Sequence, residues 1–365
     1  GEKIIYEATF FHDGVIVALD VLVKDAQGWK AYEVKSSTSV SDTYVKDAAI
    51  QYYTILNSGI DLKDISIVYI NNQYVREGKL KIDELFTIES VKDRVLEYLP
   101  AIPNEVSRLK SVIEKTSAPD VEIGTHCSKP YVCDFKGTCW KNIPEYSVFN
   151  IANLNADKKF DFYNKGIVTL DQIELSESTL SPNQILQVQS EIDGTSYIDQ
   201  DQIMKFTSNL RYPVYYLDFE TIGPSIPVFE GSKPYQQLVF QYSLHIQEIS
   251  GSESIHKEYL ADPKEDPRIK FIEQLILDCG VSGDILVYNI GFEKGKIEDL
   301  IETFPEHSIE LQKIISRLKD LMVPFQKKWY YTPKMRGSYS IKQVLPALVP
   351  ELSYNDLEIN EGGNA

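Results

Sequence analysis

Positive charge, cysteine and long apolar runs are all scarce in this chain. Its 37 Lys and Arg stand against 54 Asp and Glu, a formal net charge of -17, which argues against a protein that coats nucleic acid through bulk positive charge. An enzyme is still allowed: a site that gathers carboxylates around metal ions is itself acidic, and divalent cations bridge such a site to phosphates that the protein alone would repel. No stretch approaches the roughly 18 uninterrupted apolar residues of a membrane-crossing helix. The opening "GEKIIYEATF" lacks the basic-then-apolar plan of a secretory signal, so a cytoplasmic location with no membrane partner is expected. Only four Cys occur, and three of them cluster at Cys127, Cys133 and Cys139. An odd cluster in a cytoplasmic chain leaves one thiol over, so disulfides are a poor reading. There is no internal repeat and no low-complexity tract.

At 365 residues and 43% hydrophobic, the chain has enough apolar surface for two or three domains. It opens without Met and stops at "INEGGNA" directly after a patterned stretch, so both ends read as cut from something longer. Strand-like runs at "GVIVALDVLVKD" and "WKAYEVKSS" flank a turn at "DAQG" and predict a hairpin. Helical spacing over residues 42–57 precedes the strand "DISIVYIN", and residues 86–116 read as helical. A loop with Cys, Gly and Pro covers 119–145, followed by a mainly polar helical stretch to about residue 207. A second pattern then begins, with strands near 214–220, 237–247 and 255–260, an amphipathic segment at 267–279, the apolar run "DILVYN" and further helices. It predicts a mixed sheet.

Two constellations carry chemistry. In "VYYLDFETIG", period-two geometry turns Asp218 and Glu220 to one side of a buried strand. The run "ILVYN" leads into "GFEKGKIEDLI", which puts Glu293 in the first turn of a helix. Strand ends and helix starts are where α/β sheets build sites, and three acids there suit two hard cations, Mg2+ or Mn2+, for phosphodiester hydrolysis. Asp320 in "RLKDLM" reads as a solvated helix acid, and His256 and His307 have no motif behind them. In the first half, Asp20 lies on "VIVALDVLV", while Glu33 and Lys35 share a face of "AYEVKSS". Such a set binds one or two metal ions while the ammonium of Lys35 orients water or stabilises phosphate charge.

These residues carry resemblances. "YLDFET" and "NIGFE" resemble the first two motifs of DnaQ-like, DEDD-type 3'-to-5' exonucleases, with Asp218 and Glu220 matching the first. The second motif usually supplies Asp where this chain has Glu293, a longer arm. The family's last Asp, with its His or Tyr base, has no counterpart after "GSYSIKQVLPALVPEL", which points to truncation before the final helix. The Asp20, Glu33 and Lys35 set resembles the PD-(D/E)xK nuclease signature. Within it, the RecB-like branch, including CRISPR-associated RecB-like nucleases, implies a Gln on the following helix, matched by Gln51, and in some members an earlier acid, matched by Glu7.

For the cysteines, spacing alone allows zinc, with His126 or His12 as a fourth ligand. The RecB-like resemblance implies instead an iron-sulfur cluster held by one leading and three trailing Cys, of which this chain has the trailing three. Cys279 reads as a buried apolar residue. "ADKKFDFYNKGIVTLDQIEL" is similar to helix-hairpin-helix-like linkers, with Tyr163, Lys165 and Gly166 as phosphate contacts, or else is a plain helical spacer. "KKWYYTPKMRGSYS" suits base stacking or packing.

The expectation is therefore an α/β chain: an N-terminal restriction-endonuclease-like domain over 1–145, a helical linker over 146–207 and an RNase H-like, DnaQ-like domain over 208–365. The pairing is similar to bacterial proteins whose second half is classed as a domain of unknown function. The expected activity is a divalent-metal-dependent nuclease acting on single-stranded DNA or DNA ends. The alternatives are a nucleic-acid-binding or assembly protein with one or both sites inactive, and a hydrolase of another phosphoester.

Overall fold

The structure is a computed structural model and describes residues 3–352. The chain is mixed α/β and divides into two compact units, Gly1–Val121 with Gly223–Gln236, and Glu122–Ile222 with Gln237–Ala365. This division differs from the three segments expected from composition. The Cys loop and the helical stretch after it fall in the second unit, while a piece of chain between two strands of the second half belongs to the first.

The first unit is built on a five-stranded sheet in sequence order: β1 (Ile4–His12), β2 (Val15–Asp25), β3 (Gly28–Val34), β4 (Leu62–Ile70) and β5 (Phe86–Ser90). Neighbours are antiparallel except for the parallel pair of β3 and β4. The β2–β3 turn is held by Asp25, whose Oδ1 accepts from the amides of Gln27 and Gly28. Helix α1 (Asp42–Asn57) starts at Ser41, whose side chain accepts from the Tyr44 amide, satisfying one of the open donors of a helix start. Its residues Val45, Ala48, Ala49, Tyr52 and Ile55 form an apolar stripe buried against the sheet. Residues 86–90, expected to be helical, instead form β5 antiparallel to β4. "FTIES" is too short and too β-branched to hold a helix against the open edge of a strand. Helices α2 (Lys92–Tyr98) and α3 (Ile102–Ile113) follow.

In the second unit, the stretch after the Cys loop has a small core of its own around Val148, Ile151, Leu154, Leu170, Ile173 and Val188. It carries helices α4 (Ala156–Asn164), α5 (Pro182–Asp193) and α6 (Gln200–Ser208), with β6 (Tyr197–Ile198) between the last two. The expected helix–turn–helix is only half present. After Gly166, at φ +79°, the chain makes a single 3-10 turn at Leu170–Gln172, closed by a capping box between Thr169 and Gln172. Burial of Leu170 and Ile173 in the local core favours that turn over a second helix.

The main sheet of this unit runs β11-β10-β7-β8-β9, with β7 (Val214–Ile222) central. Strands β8 (Leu238–Gln247) and β9 (Ser254–Leu260) continue antiparallel on one side, and β10 (Asp284–Val287) and β11 (Leu318–Asp320) run parallel to β7 on the other. Helix α7 (Arg268–Cys279) connects the two sides, and α8 (Ile290–Thr303) and α9 (Ser308–Arg317) connect β10 to β11. Tyr215, Leu217 and Phe219 face a core with residues of all three helices, so Asp218 and Glu220 face the other way. The turn before β10 is tightly specified. Arg317 donates to the carbonyls of Cys279, Gly280, Ser282 and Gly283, and at Gly283, φ +86°, a Cβ would stand 1.9 Å from the Pro213 carbonyl oxygen. Cys279 is fully buried and burial pushes its thiol up to about 12, in keeping with an apolar role.

Candidate metal-binding carboxylate sites

Strand order reverses between β7 and β10, since β7 leads to β8 on one side while β10 lies on the other. The crevice beyond the carboxyl ends of strands at such a point is the usual ligand site of open α/β sheets. Asp218 and Glu220 occupy the last half of β7, opposite Ser243 and Gln241 of β8, with a register shift just after Glu220. Beyond β10, Asn289 takes the left-handed conformation at φ 77° and opens α8, which places Glu293 in the first helical turn as expected.

Glu293 is 2% exposed, and among the described residues its Oε2 has no hydrogen-bond partner. Burial, reinforced by the charges of Asp218 and Asp320, pushes its carboxyl up to about 8. Burial also raises the pKa of Asp218, and that of Glu220, where the Asp218 charge adds to the effect. Asp320 is the acid that sequence reasoning passed over. It ends β11 opposite Val287 rather than lying on a helix, and its oxygens accept from the amides of Asn289, Ile290 and Met322 at 3.1, 3.2 and 2.9 Å. Asp320 thus fixes the junction from which Glu293 projects. A strand of three residues in "RLKDLM" leaves too short a pattern to be recognised.

Residues 215–340 match a domain of unknown function, DUF2779. That segment holds Asp218, Glu220, Glu293 and Asp320. The chain is also 30% identical over 176 residues to an uncharacterized protein, UU173, of Ureaplasma parvum serovar 3, a match covering 42% of this chain and 25% of that protein. The match thus spans about a quarter of the length of that curated relative. No solved structure matches the chain.

The second constellation lies in the first unit, where β2 runs beside β3. The pairing of the two strands ends at Val21↔Tyr32, one residue short of Asp20 and of Glu33. The buried positions of β2 shift here from Val17 and Leu19 to Leu22, and Glu7, at the matching point of β1, stands at φ 52° outside the ladder. At this irregularity Asp20 reaches across to β3, where its Oδ2 accepts from the Val34 amide at 2.6 Å. Glu33 is 7% exposed; its Oε1 accepts from Lys35 Nζ at 2.8 Å and its Oε2 has no partner. Gln51 on α1 is also buried, with Oε1 unpartnered.

One further residue emerges here. Asp47, a helical turn before Gln51, accepts from Lys35 Nζ at 2.7 Å, and the ring of Tyr44 lies 5.6 Å from the same ammonium. Burial works against the Lys35 charge, but the hydrogen bonds to Asp47 and Glu33 outweigh it and hold the pKa above its usual value. The helical spacing from Gln51 was the available signal for Asp47. Lys35→Met, which leaves the buried Glu33 carboxylate with neither oxygen partnered, is expected to cost roughly 2–4 kcal/mol. Urea denaturation checks this, and a loss within the scatter of surface substitutions would contradict it.

Both constellations suit hard cations. Their ligands are oxygens, and Glu33 Oε2, Gln51 Oε1 and Glu293 Oε2 are buried acceptors without donors. Among the described residues no three His, Cys, Asp or Glu side chains already form a closed metal cage. Mg2+ does not need one, since it is usually held by one or two carboxylates together with waters and substrate phosphates.

In the cysteine loop Cys127 is buried and Cys133 and Cys139 are exposed, and among the described residues no group of three or more His, Cys, Asp or Glu is gathered as for a metal ion. The loop closes through its backbone, with the Cys133 amide donating to the Cys127 carbonyl at 3.0 Å. His12 belongs to the other unit, where its ring packs edge-on against Tyr53. Tyr163 packs on Phe149 at 5.9 Å, and Lys165 and Gly166 form an exposed turn. In the aromatic stretch, packing prevails: Tyr331 is 1% exposed in β12 (Tyr330–Tyr331), which pairs with β6. Lys328 sits over its ring at 4.0 Å, and burial pushes that ammonium down to about 8.

Proposed function

We propose that the chain is a divalent-metal-dependent nuclease with two hydrolytic modules, acting on single-stranded DNA or DNA ends. The observation that carries this reading is Glu293, whose pKa is raised first by burial and further by the neighbouring charges of Asp218 and Asp320, and whose Oε2 has no hydrogen-bond partner among the described residues. Such a concentration of negative charge at a strand-order switch point is offset by a cation. A restriction-endonuclease-like first module is supported by the mixed sheet that carries Asp20 and Glu33 on neighbouring strands, ties Asp20 to the Val34 amide and is packed against α1. A DnaQ-like second module is supported by the central position of β7 between antiparallel and parallel neighbours.

Mg2+ or Mn2+, when bound, supplies an activated water and charge stabilisation for the leaving oxygen. In the first module, Asp20 and Glu33 hold the cation, and the Gln51 amide orients a water or a phosphate oxygen. Lys35 brings a fixed positive charge to the phosphate, and Asp47 keeps that lysine protonated and in place. In the second, Asp218, Glu220 and Glu293 supply the oxygens. Glu293 replaces the shorter Asp of the resembled motif, so it reaches the same point from one helical position with a longer arm. The test is incubation of end-labelled single-stranded DNA with the protein in Mn2+ and in EDTA. Cation-dependent shortening is expected; binding without cleavage would favour a nucleic-acid-binding protein with inactive sites.

A further inference from the structure

Two of the five histidines stand side by side on the main sheet of the second unit, and neither belongs to the carboxylate sites. His245 of β8 and His256 of β9 are directly paired across the strands, both exposed, with ring centroids 4.4 Å apart and planes inclined by 23°. The Ser243 hydroxyl lies 3.1 Å from His256 Nε2. A cross-strand pair of any β-branched or aromatic residues stabilises a sheet. What sets this pair apart is that both exposed rings carry nitrogens able to bind a metal.

We propose that His245 and His256 form a binding site for a borderline transition-metal cation such as Zn2+, Ni2+ or Cu2+. Imidazole suits these ions, whereas the carboxylate oxygens of the neighbouring sites suit Mg2+ and Mn2+. Two imidazole nitrogens sharing one ion at about 2.0–2.1 Å stand roughly 3.3 Å apart, so both exposed rings turn out of their stack on binding to bring their in-plane lone pairs to one point. Ser243 supplies the outer partner that ligating histidines ordinarily have. With His256 Nε2 donating to its hydroxyl, Nδ1 is left with the lone pair. The remaining positions on the ion are open to water or to an incoming ligand. The site shares its sheet face with the acids, because Tyr216↔His245 and Asp218↔Ser243 are successive same-face rows of β7 and β8. Cations of two chemical classes are thus accommodated on one surface.

Isothermal titration of the untagged protein with Ni2+, in excess Mg2+ to saturate the carboxylates, tests this without reference to nuclease activity. One equivalent is expected to bind, and His245→Ala and His256→Ala are each expected to weaken it about tenfold or more. The Cys133→Ser/Cys139→Ser double variant is expected to retain it. In parallel, Ni2+ is expected to protect both histidines of the wild-type protein from carbethoxylation, read by mass spectrometry, which needs no substituted protein. Binding unchanged in both histidine variants, no saturable binding, or labelling of the two rings undiminished by Ni2+ would overturn the proposal.

Discussion

Glu33→Ala and Asp218→Ala are each expected to remove one component of Mn2+-dependent DNA cleavage, and the double variant to remove both. A fall of at least about 100-fold for each component corresponds to roughly 2.7 kcal/mol of transition-state stabilisation. Each substitution deletes an acid from only one compact unit, so the surviving component reports on the other. Lys35 keeps Asp47 as a partner when Glu33 is removed, and the Asp218 side chain is exposed on β7, so both variants are expected to stay folded, as judged by circular dichroism. If cleavage by the double variant matched that of the unsubstituted chain, the carboxylates would not be the source of the activity.

The second large effect concerns pH. Glu293, with its carboxyl raised from 4.5 to about 8, binds a proton more tightly in the folded state than in the unfolded one. Below pH 4.5 both states hold the proton and the group costs nothing. As pH rises towards 8 the unfolded chain releases it first, so folding loses free energy, and above 8 the loss is complete. At about 1.4 kcal/mol per pH unit, the full penalty is up to roughly 5 kcal/mol. Glu293→Gln is expected to raise stability in EDTA at pH 9 and to leave it nearly unchanged at pH 4.5, as measured by denaturant titration. In the unsubstituted protein, Mn2+ is expected to recover much of the alkaline loss by binding only the folded state. An equal effect of Glu293→Gln at both pH values would show that its charge is not what the site resists.

Long periodic elements were legible in the sequence. The stripe from Val45 to Ile55 gave α1, and the alternation through Tyr215, Leu217 and Phe219 gave β7 with its acids turned outward. Position in a motif singled out Glu33, Lys35 and Glu293 as candidates. What escaped depends on partners distant in sequence. "FTIES" becomes a strand because β4 offers an edge, and Asp320 acquires a role because β11 ends beside the start of α8. Asp47 matters because β3 ends with Lys35 within its reach.

The excursion between β7 and β8 governs how the molecule can be dissected. Arg76 donates to the carbonyls of Pro227 and Val228, its amide donates to Ser232, and the Gly78 amide donates to Glu230. The backbone therefore crosses from one unit to the other at 121/122, 222/223 and 236/237. A gene fragment ending at residue 121 deprives the Arg76 guanidinium of the Pro227 and Val228 carbonyls, and one starting at 122 carries a detached loop in the middle of its sheet. Separating the two halves calls for circular permutation or a grafted bridge rather than a single stop codon.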